Sequence, residues 1–314
     1  MARYLVTGGA GFIGCNLVRY ILAKGHDVVV VDNFATGKRE NIADIVKKIT
    51  FIEGDIRDRA VMDQAVKGCA AIFHQAALGS VPRSVEDPAT SHDVNVNGTI
   101  VVLEAARAAG VRRLVFAASS SAYGNIAQSP KIETMVPEPI SPYAASKVAC
   151  EAYLQAYAAA YGMETVCLRY FNVFGPHQDP AGAYAAVIPA FVSRILHGRR
   201  PDVFGDGEQS RDFCYIDNVC KANWLAAHAP KAVCTGAAIN IACNQAASLN
   251  QILDKLKQLL HSDITPVYGP VRLGDVKDSL ADIGRARKLL GYEPEVFFEQ
   301  GLAKAIGWYK ENLK

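Results

Sequence analysis

Tyr143 and Lys147 stand four residues apart just after Ser141-Pro142, a spacing that puts both side chains on one face of a helix beginning there. Such a pair can move a proton. A lysine ammonium, together with a positively charged nicotinamide, stabilises phenolate and draws a tyrosine pKa from about 10 toward neutrality, giving a base for an alcohol proton. A hydroxyl beside the tyrosine would hold the substrate oxygen while its charge changes, and Ser119, Ser120 and Ser121 are the candidates. They follow Leu114-Val115-Phe116, which places them at the carboxyl end of a strand, the edge where open α/β sheets bind ligands.

Oxidation at that site needs a hydride acceptor, and the start of the chain supplies a place for one. Thr7-Gly8-Gly9-Ala10-Gly11-Phe12-Ile13-Gly14 follows the apolar run Tyr4–Val6, and Asp32 closes the next run, Val28–Val31. Glycine is wanted where a strand turns sharply into a helix, where backbone approaches a pyrophosphate and where helix packs closely on strand. Gly8, Gly11 and Gly14 fill those roles, and the helix-start amides at Phe12 and Ile13 face the phosphates. Asp32 then presents a carboxylate to the adenosine ribose diol. With Asn33 rather than arginine following it, the pattern favours NAD over NADP.

The elements that position these groups read as alternating strand and helix. Apolar β-branched runs at Tyr4–Val6, Val28–Val31, Thr50–Ile52, Ala71–Phe73, Leu114–Phe116 and Thr165–Leu168 alternate with helical stretches at Phe12–Lys24, Arg59–Val66, Asp87–Ala109 and Pro142–Tyr161. This predicts a Rossmann-type α/β fold, a doubly wound parallel sheet, over residues 1–175. Beyond 175 the rhythm breaks: helices are predicted at Ala185–His197, Asn218–Ala229, Ser248–Leu260, Gly284–Leu290 and Glu299–Asn312. Residues 176–314 are read mainly as a smaller substrate-binding lobe, with some segments returning to the sheet. The alanine-rich helices over 87–109 and 142–161 offer close-packing faces, and a homodimer is expected.

Bulk composition narrows the partners. Among 314 residues, 33 basic and 31 acidic side chains leave a net charge of +2, which gives no general attraction to nucleic acid or to a membrane surface. No apolar run approaches the ~20 residues of a membrane span, and the first strand begins without a basic leader or signal core. The cytoplasm is the expected location. Eight cysteines show no Cys-x-x-Cys spacing, so they are read as reduced, buried side chains, with no metal needed.

Taken in order, these motifs resemble the extended short-chain dehydrogenase/reductases that act on nucleotide sugars. The likeness covers nearly the whole chain: the glycine loop, Asp55-Ile56, His74-Gln75-Ala76-Ala77, Asn95-Val96-Asn97-Gly98-Thr99, Tyr143-x-x-x-Lys147, Leu168-Arg169-Tyr170-Phe171-Asn172, Arg211-Asp212-Phe213 and Arg272-x-x-Asp275. The resemblance implies that Asp55 and Ile56 border adenine, that Gln75, Ala76 and Ala77 line the phosphates and ribose, and that Lys147 holds the nicotinamide ribose. Asn95 and Tyr170 join this cofactor set. Counting back four from Tyr123 selects Ser119 as the catalytic hydroxyl, leaving Ser120 and Ser121 to face substrate. Asn172, Arg211, Arg272 and Asp275 correspond to positions that hold uridine diphosphate, which suits guanidinium and amide donors to a diphosphate.

Related dehydratases and decarboxylases carry an acid just after the catalytic hydroxyl, whereas Ser120, Ser121 and Ala122 stand here. The resemblance therefore implies a UDP-sugar 4-epimerase working through a 4-keto sugar. In similar enzymes a small residue four places after the aspartate of Arg-x-x-Asp admits a 2-acetamido group; that position is Ser279. Gly79, Ser80 and Arg83, with Ala186 and Val187 in the later segment, resemble epimerases preferring UDP-N-acetylhexosamines. UDP-N-acetylglucosamine is the expected substrate. UDP-glucose and UDP-glucuronate are the alternatives, the latter with Arg83 as candidate carboxylate partner; a non-catalytic NAD-binding regulator is the alternative of another class.

Overall fold

Successive residues of the first strands send their side chains to two different cores. Tyr4, Val6, Val28 and Val30 join one apolar cluster, while Leu5, Val29 and Val31 join another on the opposite face. A sheet buried on both faces follows, and this is why its strands read as continuous apolar runs. The computed structural model describes residues 1–180, 186–270 and 278–312.

Seven strands form the parallel sheet: β1 (Arg3–Thr7), β2 (Asp27–Asp32), β3 (Thr50–Glu53), β4 (Ala71–His74), β5 (Arg113–Ser119), β6 (Glu164–Tyr170) and, after four short strands, β11 (Thr235–Ile241). Their order is β11-β6-β5-β4-β1-β2-β3, so chain direction reverses its march between β1 and β4, opening a crevice at their carboxyl ends. The short strands are β7 (Val173–Phe174), β8 (Asp202–Phe204), β9 (Ser210–Asp212) and β10 (Cys214–Tyr215), followed after β11 by β12 (Ala246–Ser248), β13 (Val267–Gly269) and β14 (Asp278–Ser279). They build small sheets, of which β12-β9-β14 matters most for the site.

Helices α1 (Phe12–Ala23), α2 (Arg59–Ala65), α3 (Val81–Glu86), α4 (Pro88–His92), α5 (Gly98–Ala108) and α6 (Pro142–Tyr161) belong to the first half. Later come α7 (Val187–Leu196), α8 (Ile216–Ala227), α9 (Leu249–Leu260), α10 (Gly284–Leu290) and α11 (Phe298–Asn312). Ser141 caps α6 by accepting from the Ala144 amide at 3.1 Å, with Pro142 in the first turn and Gly162 closing the far end at φ +66°. Ser248 and Gln251 form a reciprocal capping box at α9.

The single helix expected over 87–109 is interrupted. A π-helical turn, Asp93–Asn97, lies between α4 and α5. The Asn95 carbonyl is taken by the Thr99 hydroxyl at 2.6 Å and the Cys150 thiol at 3.2 Å, which loosens the regular ladder there. Helix α3 was not anticipated; Ser80 caps it, accepting from the Arg83 amide at 3.2 Å.

Candidate functional site

A cavity of about 460 Å³ opens at the carboxyl edge of β1, β2 and β4. Its wall takes Gly8 and Gly11 from the β1–α1 turn, Asp32 and Asn33 from the end of β2, Asp55 and Ile56 after β3, and Gln75, Ala76 and Ala77 after β4. Gly8 turns with φ +69°, and a Cβ there would meet the Ala76 backbone at 2.7 Å. A Cβ on Gly14 would fall 2.1 Å from the Gly8 carbonyl oxygen, so only glycine lets α1 seat against the loop. No side chain caps the start of α1, which leaves the first amides, including Phe12 and Ile13, as donors for an anion.

Asp32 is buried beneath that loop, accepting from the Ala10 amide at 2.9 Å and the Phe34 amide at 2.8 Å. Burial raises its pKa, and these amides oppose the rise. Asn33 donates to Asp55 at 2.9 Å, and the Arg57 guanidinium holds Asp55 below the usual carboxylate range. Arg57 also lines the cavity and was missed; its place two residues after Asp55 was the available signal. Gln75 is gripped from outside the cavity: its amide donates to Asn223 at 3.1 Å, and the Tyr170 hydroxyl donates to its oxygen at 3.3 Å. Asn223, a buried amide on the apolar face of α8, was also missed.

Asn95 is 2 % exposed, with both ends of its amide bonded to Leu78 and its nitrogen also donating to Ser146 at 3.0 Å. It ties the β4 loop to α6. The Tyr143 amide donates to Ser84 on α3 at 3.0 Å, a second tie on the same helix.

Ser119 ends β5, and its hydroxyl accepts from the Ser121 hydroxyl at 2.9 Å and the Ser121 amide at 3.2 Å. It also interacts with the Tyr143 phenol and favours its ionised form, but burial prevails and raises the Tyr143 pKa. Lys147 is buried, with Nζ donating to the Ala117 carbonyl at 2.8 Å and lying 5.9 Å from the Tyr143 ring centre. Burial brings its pKa down to about 8. The lowering of Tyr143 expected from lysine and nicotinamide together is thus not supplied by the chain alone, because the ammonium faces a carbonyl. Ser119, Ser121, Tyr143 and Lys147 gather at the carboxyl end of β5, with Ser120 on the same 3-10 turn, Ser120–Tyr123.

On the other side, Asn172 adopts φ +32° and donates to the Asp212 carbonyl at 3.1 Å. Arg211 lies in β9 and donates to the Ser210 carbonyl at 2.8 Å, and Ser279 in β14 is its register partner. Ala186 precedes α7, which Val187 begins. Arg83 lines the same cavity as Gly8 and Asp32, and Gly79 is exposed before α3. Arg272 and Asp275 lie outside the described residues.

Residues 4–242 match the model of a family described as "NAD dependent epimerase/dehydratase family". The chain belongs to that family. NAD is therefore its cofactor, and the glycine turn, the uncapped start of α1 and the Asp32 carboxylate fit it. Among similar members, the UDP-glucose 4-epimerase of Mycolicibacterium smegmatis is 39 % identical over 319 residues, covering 99 % of each chain. The UDP-N-acetylglucosamine 4-epimerase of Methanobrevibacter ruminantium, solved with UDP-N-acetylmuramic acid, aligns with a TM-score of 0.93 at 38 % identity, covering 99 % of this chain and 98 % of that one. The Thermus thermophilus UDP-glucose 4-epimerase, solved with NAD, gives 0.88 at 35 % identity over 99 % of each. Family membership accounts for the parallel sheet and its crevice. No helix among the described residues is long and apolar enough to cross a membrane.

Proposed function

We propose that this NAD-dependent UDP-sugar 4-epimerase acts chiefly between UDP-N-acetylglucosamine and UDP-N-acetylgalactosamine. The sugar assignment is carried by Ser279, a small side chain held in register with Arg211. On this reading Arg211 and Asn172, with Arg272 and Asp275 as the resemblance implies, hold the uridine diphosphate, and Ser279 faces the hexose. A small residue there leaves room for the 2-acetamido group.

Tyr143, as phenolate, accepts the proton of the sugar 4-hydroxyl while Ser119 hydrogen-bonds the same oxygen. NAD, held by the glycine turn, the first amides of α1 and Asp32, would supply the hydride acceptor for carbon 4 and the hydride for its re-reduction. Ser120, Ser121 and Ala122 offer no carboxyl group beside the reacting carbon, which leaves re-reduction of the keto sugar as the available exit. Tyr143 then gives its proton back to the 4-oxygen, and reduction on the opposite face completes epimerisation. Lys147 holds the nicotinamide ribose and keeps positive charge near the phenolate. Gln75, Ala76 and Ala77 border the cofactor phosphates, and Asp55 and Ile56 the adenine.

A second reading, UDP-glucose as principal substrate, is favoured by relatives such as the Mycolicibacterium smegmatis enzyme. The uronate reading stands beside it, supported by similarity to a UDP-glucuronate 4-epimerase, with Arg83, its candidate carboxylate partner, in the cavity wall that also takes Gly8 and Asp32. The deciding experiment incubates purified protein with UDP-N-acetylglucosamine, UDP-glucose and UDP-glucuronate and separates the products. Fastest formation of UDP-N-acetylgalactosamine is the expected result. Replacing Ser279→Tyr should then cut acetamido turnover by ~100-fold and leave UDP-glucose within ~3-fold, the range that lost pocket space commands. Unchanged acetamido turnover in that variant overturns the assignment.

A further inference from the structure

Asn240 of β11 is completely buried at the sheet edge, yet each side-chain polar atom is used. Its oxygen accepts from the Tyr123 hydroxyl at 2.7 Å. Its amide nitrogen donates to the Lys131 carbonyl at 3.0 Å and the Asp282 carbonyl at 3.3 Å. Its backbone amide donates to Glu133 at 2.9 Å. One asparagine therefore joins β11 to two segments far from it in sequence, the chain over 123–133 and the chain at Asp282.

Those segments are the two ends of the sugar site. Tyr123 closes the turn that begins at Ser119 and Ser120, so its hydroxyl reports the position of the reacting end. Leu280–Asp282 directly follows Ser279 and is laced to the chain beyond that turn: the Lys131 amide donates to Leu280 at 2.8 Å, and the Asp282 amide to Lys131 at 3.0 Å. Asp212 adds a third hold, accepting from the Ala281 amide at 3.3 Å. On its other side the Tyr123 ring lies 4.7 Å from the Arg169 guanidinium, which bonds Glu151 at 2.9 and 2.7 Å, one helical turn past Lys147 on α6. The wall bearing Ser279 is thus keyed to the catalytic turn through buried hydrogen bonds.

We infer that Tyr123 and Asn240 are positioning residues for substrate selection, setting the separation between the Ser119 end and the Ser279 wall. Neither touches the reacting atoms. Losing the Tyr123 hydroxyl strands the Asn240 oxygen in the core, and a shift of even 1 Å in a positioned group changes rates by about 100-fold. The inference rests on Ser279 forming the acetamido wall.

The test is Tyr123→Phe in the whole enzyme, which keeps the ring over Arg169. Specificity, taken as kcat/KM for UDP-N-acetylglucosamine over that for UDP-glucose, should change by about 10-fold, chiefly through KM. Hydrogen exchange at the Ala281 and Asp282 amides should quicken by about 10-fold in the same variant. An equal fall on both sugars with unaltered exchange marks a merely structural tyrosine and overturns the inference, as does no change at all. If Ser279→Tyr leaves acetamido turnover intact, the wall is elsewhere, and exchange at Asp282 alone then decides whether the two segments are keyed. Should Tyr123→Phe fail to fold, the unaltered enzyme gives the answer: the amides of Lys131, Asn240 and Asp282 should exchange as one group. Exchange at Asp282 ~100-fold faster than at Asn240 overturns the coupling.

Discussion

Lys147 is an ammonium that the fold holds in an unfavourable place. Burial brings its pKa from 10.5 to about 8, against the pull of Cys150 and Glu151 on the same helix. Between those values the unfolded chain binds more protons than the folded one, so stability rises as pH increases through the window and is lowest below about 8. A shift of that size corresponds to about 3 kcal/mol. Replacing Lys147→Met removes the titration and leaves the Ala117 carbonyl without its donor, a loss of about 1 kcal/mol that does not vary with pH. Denaturant unfolding of cofactor-free protein should therefore show wild type gaining about 3 kcal/mol on the variant between about pH 7 and 10.5. A difference that stays flat across that range would mean the ammonium is not held at a disadvantage.

At the scale of elements, the junction of β1 with α1 carries the cofactor argument. A methyl group on residue 14 would sit 2.8 Å from Gly9 Cα as well as 2.1 Å from the Gly8 oxygen, so α1 must move off the loop. Gly14→Ala should lower NAD affinity by ~100-fold, the penalty for displacing positioned donors by about 1 Å, measured by calorimetric titration of stripped protein. Affinity within a factor of two of wild type would show that the loop tolerates a shifted helix. This junction was legible because a strand run, three glycines and Asp32 sit within a short local window. The α6 start was legible for the same reason, Ser141-Pro142 being a local signal. β11 was not: Thr235-Gly236-Ala237-Ala238 carries little apolar character, and pairing with β6 fixes it as a strand. Nor were Asn223 and Asn240, since a buried amide is meaningful only through partners far along the chain. The π turn at Asp93–Asn97 escaped because helical periodicity does not register which carbonyl a side chain will capture.

Across the whole molecule, α6 presents its two faces to different tasks. Lys147, Cys150, Glu151 and Leu154 turn inward toward the sheet, while Tyr153 and Tyr161 are 41 % and 55 % exposed on a surface set mostly with alanine, together with Gln155. Tyr161 meets Tyr157 edge to face, with ring centres 5.0 Å apart, and Arg107 of α5 lies 4.8 Å over it, so α5 and α6 meet on one outer face. Large aromatic side chains among small residues give a two-fold interface its anchors and its close approach, and we propose that two copies of this chain pair through these helices. A carboxylate on this face is then the decisive perturbation, because an interface of this kind would bury it without a partner. Tyr153→Glu should convert the protein from dimer to monomer in light scattering without altering the Lys147 surroundings on the opposite face. Since α6 also carries Tyr143 and Lys147, losing the partner should loosen the helix and weaken turnover by roughly 10-fold rather than abolish it. A wild-type protein that scatters as a monomer would remove the interface from this face and leave the tyrosines as isolated surface side chains.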